Sequence, residues 1–153
     1  MKLISGSLVH IAFIIFIFFL NIFYGYGISV YNLQAIYYFI CTFILLIGLG
    51  WLLSAITPFV RDVPSIVGVV LQILFWTTPI VWNPDNMSES VQFVLKINPM
   101  FYICRGYRDA FINHIWFWQY GFSGLYFWCI TLIIFALGAY TFKKMRPHFA
   151  DVL

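Results

Sequence analysis

Charge is what this sequence has least of. Only 8% of its 153 residues are Asp, Glu, Lys or Arg and 63% are hydrophobic, against about 25% charged and 45–50% apolar in soluble domains. None of those four residue types occurs from Leu3 to Val60, nor from Ala110 to Phe142. Each gap exceeds the roughly 20 apolar residues of one bilayer-spanning helix, which excludes a water-soluble fold. Cysteine is scarce and scattered, as Cys41, Cys104 and Cys129, which rules out a disulfide framework or a Cys-x-x-Cys metal site. The eight basic residues form no stripe that could track phosphates, so no nucleic-acid partner is expected. No nucleophile–base pair, carboxylate pair or metal-ligand set is apparent, which argues against an enzyme. A phosphate-binding Gly-x-x-x-x-Gly-Lys-Ser/Thr loop is missing as well, so no cofactor is expected on this chain and any ATP-driven work falls to a partner subunit. His10 is the one ionisable residue inside an expected span, which disfavours a proton or ion relay.

What is present is apolar sequence cut by turn signals. Backbone polar groups in hydrocarbon must be satisfied within the segment, and no alternating strand pattern appears, so the long runs predict helices. Lys2 followed by an apolar stretch has the outline of a signal peptide, but without a convincing cleavage site it reads as the first membrane helix. Gly25-Tyr26-Gly27 through Asn32 divides the first run, giving helices over 7–24 and 33–57. Pro58 and Arg61-Asp62 end the second, and Pro64 suits the first turn of a third over 65–82. Asn83-Pro84-Asp85-Asn86 is a turn signal, and a fourth helix over 120–142 precedes Lys143, Lys144 and Arg146. The expectation is an all-α polytopic membrane protein, one transmembrane domain over 1–153 with about four spans.

Positively charged loops stay cytoplasmic. Lys2, Arg61, Lys143, Lys144 and Arg146 fall on one side, and Lys96, Arg105 and Arg108 on the other. Both termini are therefore expected in the cytoplasm and residues 83–118 outside. Trp82, Trp116, Trp118 and Tyr120 would then form an outer interfacial aromatic belt. The outer segment is too long for a structureless loop. Asn86 and Glu89 have the spacing of a helix cap with its reciprocal acid, followed by Val91, Val94 and Leu95 at helical spacing. Asn98 can cap a second short helix with Pro99 at its first position, carrying Arg105 and Asp109 at i,i+4 where they can pair. These two short helices either lie on the bundle surface or dip into it. Aromatic residues make up 22% of the chain, and the group Trp76, Trp82, Tyr102, Tyr107, Trp116, Trp118 and Tyr120 is the part suited to contact sugar rings as well as an interface. Arg108, less well neutralised than Arg105, is the candidate for an anionic group.

Four short motifs in order, Phe59-Val60-Arg61-Asp62-Val63, Thr78-Pro79-Ile80, Asn98-Pro99-Met100 and Tyr107-Arg108-Asp109, resemble the membrane subunit of ABC-2-type exporters. Tyr140-Thr141-Phe142-Lys143-Lys144 and Phe149-Ala150-Asp151-Val152-Leu153 resemble the ending of the branch that exports O-antigen, capsule or teichoic acid. The resemblance implies a permease of about six helices, paired as a homodimer on two separate ATP-binding subunits in a bacterial inner membrane, moving a lipid-linked glycan. With four spans, this chain resembles the carboxyl-terminal part. The resemblance further implies that Arg61 and Asp62 lie in a cytoplasmic turn beside the ATPase. Pro79, Trp82, Asn98, Pro99, Tyr102, Arg105, Tyr107, Arg108 and Trp116 become candidates for an outer gate or for substrate contact. The alternative is a small membrane scaffold, or an inactive partial permease, with no transport path of its own.

Overall fold

The structure is a computed structural model that describes residues 2–80, 82 and 87–147. The described residues are helical, without strands: α1 Lys2–Phe23, α2 Gln34–Ile56, α3 Val63–Thr77, α4 Glu89–Lys96, α5 Pro99–Arg108 and α6 Gly121–Met145. Short tight-helical turns precede α2 (Val30–Leu33) and α6 (Phe117–Tyr120), and a π-helical turn, Asp109–Asn113, follows α5. Three apolar helices, α1, α2 and α6, are long enough to cross a membrane, and α3 is a shorter apolar helix. At 1.5 Å per residue the fifteen residues of α3 reach only about 22 Å.

Gly25 and Gly27, both at positive φ (79° and 72°), make the turn that folds α1 back beside α2. Leu3 at the start of α1 approaches Gly50 near the end of α2, so the two run antiparallel. Most of α1 presents exposed apolar side chains such as Phe13, Ile15 and Phe19, as lipid requires. The core is instead the α2–α6 pair. Gly48 faces the backbone of Phe135, and a side chain on Gly138 would strike the carbonyl of Gly48. Two glycines at one crossing let helix backbones touch, which supplies dispersion contact where water gives no hydrophobic drive.

Element boundaries differ from the sequence expectation where local chemistry decides. The third helix stops at Thr77, not residue 82, because Thr78 is extended (ψ 132°) and a residue before proline avoids the α region. Its start moves to Val63, which keeps Pro64 in the first turn. α4 begins after Ser88, which makes no side-chain cap bond; Asn86 of the expected Asn86–Glu89 cap lies outside the described residues. The first helix starts earlier than residue 7. The last continues through Lys143 and Lys144, whose charges suit the negative end of the helix dipole.

Candidate functional site

The short helix α5 is sunk into the bundle. Asn98 takes the cap position, its Oδ1 accepting from the Met100 amide at 2.9 Å, and Pro99 occupies the first turn. Tyr102 and Ile103 then pack with Tyr38, Cys41 and Leu45 of α2 and Phe127 of α6. Those α2 residues lie roughly one to three turns past its start, so α5 dips beside the spans instead of covering their ends. Gly106 makes this possible: a Cβ there would collide with the Tyr38 ring. Polar bonds tie the same layer together. Trp128 Nε1 donates to the Tyr37 hydroxyl at 2.9 Å, and the Tyr37 and Tyr102 hydroxyls lie 3.3 Å apart.

Both ends of α5 grip the chain leaving α3. Asn98 Nδ2 donates to Thr78 Oγ1 at 3.0 Å, while that hydroxyl donates to the Leu74 carbonyl at 2.6 Å. Arg108 Nη2 donates to the carbonyl of Pro79 at 2.8 Å and to those of Ile80 and Trp82 at 3.3 Å. Extended backbone has no intrahelical partner for its carbonyls, and orphan carbonyls in an apolar setting are costly. One guanidinium serves three of these carbonyls, those of Pro79, Ile80 and Trp82. Thr78-Pro79-Ile80, Asn98-Pro99-Met100 and Tyr107-Arg108-Asp109, separate in sequence, are thus one interlock.

Beyond Arg108 the backbone widens into the π turn and ends at His114 in the left-handed region (φ 54°). Asp109, almost fully buried, accepts from Asn113 Nδ2 at 2.6 Å and lies 3.8 Å from Arg105 Nε, the pairing its spacing predicts. Arg105 also sits over the Tyr120 ring, 4.9 Å from its centroid. Gln34, at the start of α2, closes the layer by donating to the Ile115 carbonyl and accepting from the Phe117 amide, at 3.1 and 2.7 Å.

Of the residues singled out in the sequence, Pro79, Asn98, Pro99, Tyr102, Arg105, Tyr107 and Arg108 meet around α5, and Trp82 joins them through its carbonyl. Trp116 packs instead on Tyr31 and Trp118, with ring centroids 4.7 and 4.4 Å away. Arg61 and Asp62 are exposed in the α2–α3 turn, at the opposite end of α2 from α5. Arg108, expected to be the less occupied arginine, donates to three carbonyls, while Arg105 lines a cavity between α4, α5 and α6. Sequence reasoning passed over Gln34, Tyr37, Tyr38 and Gly106. The available signal was Gln34, a polar side chain opening an apolar run.

The chain matches the family described as ABC-2 type transporter over residues 2–112. It is also similar to two O-antigen export system permease proteins RfbA of Klebsiella pneumoniae, 29% and 27% identical over 106 residues. Each match covers 69% of this chain and 40% of the relative, so the chain spans about two fifths of the length of these curated relatives. With a family match extending across its first two spans, α3, α4 and the interlocked α5, this chain belongs to the ABC-2 type transporter family.

Proposed function

We propose that this chain is a permease subunit of an ATP-driven exporter that moves a lipid-linked polysaccharide, of the O-antigen, capsule or teichoic acid kind, across the bacterial inner membrane. ATP is hydrolysed by a separate ATP-binding subunit, and a second permease copy completes the path. The observation that supports this reading best is the kinship to O-antigen export permeases, joined to a polar, aromatic layer built around a helix sunk among the spans. In this reading both termini are cytoplasmic and the α5 layer faces outward. Pro79, Trp82, Asn98, Pro99, Tyr102, Arg105, Tyr107, Arg108 and Trp116 serve as the outer gate or contact the substrate. Arg61 and Asp62, exposed at the far end, serve the contact with the ATPase.

Inactivating the gene in its own bacterium tests the function. Surface glycan should disappear, lipid-linked glycan should accumulate on the cytoplasmic side, and the intact gene should restore export. Unchanged surface glycan and no accumulation would refute the reading. Orientation is tested in a background without Cys41, Cys104 and Cys129. A membrane-impermeant maleimide should label Ser90→Cys in intact cells and Lys144→Cys only after permeabilisation; the reverse pattern inverts the topology. For the ATPase contact, Arg61→Ala should weaken co-purification of the ATP-binding subunit while leaving membrane insertion intact, and undiminished co-purification would remove Arg61 from that interface.

A further inference from the structure

A cavity of about 240 Å³ opens between α4, α5 and the start of α6. Lys96 and Arg105 line it together with Gln92, Ser123, Tyr102 and Tyr120. Two cations converge here from different helices, one at the end of α4 and one on α5. Arg105 has a carboxylate beside it, since Asp109 is 3.8 Å from its Nε. Lys96 has no carboxylate within 4 Å among the described residues, and Glu89 of the same helix lies about two turns away. Among the described residues, the cavity wall therefore carries the charge of Lys96 in addition to the Arg105–Asp109 pair.

From this geometry we infer that the cavity is a binding site for a phosphate group. Lys96 supplies the uncompensated charge and Arg105, steadied by Tyr120, supplies directed N–H donors. Ammonium and guanidinium together suit phosphate oxygens, and the hydroxyl of Ser123 and the amide of Gln92 add neutral hydrogen-bonding groups at the rim. The volume lies below the roughly 300–1,000 Å³ of sites for drug-sized ligands, so it admits a headgroup or one sugar phosphate and not a length of polymer. The cavity near Arg108 is a poorer host. Its walls include Phe13, Ile14 and Ile17, and its guanidinium is directed at backbone carbonyls. A phosphate at Lys96 has two possible sources, an anionic phospholipid headgroup or a phosphorylated sugar.

The test is a thermal-unfolding titration of the full chain in a neutral maltoside detergent, which requires no export activity and so succeeds or fails independently of the transport reading. The probes are phosphatidylglycerol against phosphatidylcholine of the same acyl chains, and glucose 1-phosphate against glucose. The phosphate-bearing anionic probe from the correct source should raise the unfolding midpoint saturably, its neutral or zwitterionic counterpart should not, and Lys96→Gln should weaken the apparent affinity by about tenfold or more. Lys143→Gln, an exposed charge at the far end of α6, should leave it unchanged. A Lys96-dependent response to phosphatidylglycerol alone identifies the lipid headgroup as the source, and one to glucose 1-phosphate identifies the sugar. Arg105→Lys, which keeps charge but loses the planar fork, should weaken binding less than Lys96→Gln. Absence of any saturable response, or a response equal in wild type and Lys96→Gln, overturns the site.

Discussion

The α2–α6 pair and α3 are held in opposite ways. Between α2 and α6 the fastening is closeness itself: Gly48 and Gly138 bring backbone against backbone, and Tyr38, Leu45 and Phe127 fill the space on either side. The helix α3 buries none of its residues, and Ile66, Val69, Leu71, Ile73 and Phe75 all remain exposed. Its described anchorage to the rest of the molecule is polar and sits at one end, where Asn98 meets Thr78 and Arg108 meets the next carbonyls. In hydrocarbon an apolar side chain gains little by leaving lipid for a neighbouring helix, so contact has to come from close packing or from hydrogen bonds. One region relies chiefly on the first means, with the Trp128–Tyr37 bond added near one end, and the other uses the second at a point. Consequently α2–α6 should behave as a fixed frame, and α3 as an element that a change at α5 can release.

The strongest way to break that comparison is to add one methyl group to each region. Gly138→Ala drives a Cβ into the Gly48 carbonyl and should destabilise by about 1–3 kcal/mol, the usual cost of overpacking. Gly68→Ala, in α3 with nothing within 4 Å of the added atom, should be neutral or stabilising by up to about 1 kcal/mol from helix propensity. Alkylation of the buried Cys41 during heating in detergent, with the other two cysteines replaced, reads both. Equal shifts in the two variants would show that α3 is packed as tightly as the frame.

The next effect is local. Arg108→Gln removes charge-assisted bonds worth about 1.5–3 kcal/mol from the Thr78–Trp82 stretch while leaving every α2–α6 contact in place. Hydrogen exchange should quicken tenfold or more for the amides of Thr78 and Ile80, which now bond to the Leu74 and Thr78 carbonyls, and stay unchanged through Tyr38–Leu49. Accelerated exchange in α2 as well would mean that Arg108 supports the frame and not only α3.

How much of this was legible depends on whether the physics is local. Long uncharged runs, the Gly25–Gly27 break, Pro64 in a first turn and Asn98 before Pro99 are statements about neighbours in sequence, and each reappears in the fold. The i,i+4 pairing of Arg105 with Asp109 was visible for the same reason. The end of α3 was misplaced by five residues because apolarity continues to Trp82, whereas the backbone obeys Pro79. The interlock was not legible as such. The motifs that compose it stood out one by one, but nothing in their spacing says that Arg108 reaches back 29 residues to Pro79 or that Asn98 reaches back 20 to Thr78. Gly106 was equally silent, since its role is to make room for a ring 68 positions away, that of Tyr38.

The smallest effect separates the two tasks of Asn98, and it sharpens the comparison because only one of them concerns α3. Its Oδ1 caps α5 and its Nδ2 holds Thr78. The single proton of the Thr78 hydroxyl is directed at Leu74, so the threonine oxygen can only accept here, and the amide is the group that must donate. Serine at position 98 keeps a capping oxygen and is too short to reach Thr78, whereas alanine provides neither. Asn98→Ser should therefore cost about 0.5–1.5 kcal/mol, the net worth of one hydrogen bond, and Asn98→Ala about 1 kcal/mol more for the cap. In a double-mutant cycle with Thr78→Val the Asn98→Ser change should show a coupling of the same size as its single cost, read from the α3 amides that report on Arg108. Zero coupling would mean that Asn98 serves α5 alone and that Arg108 by itself holds α3.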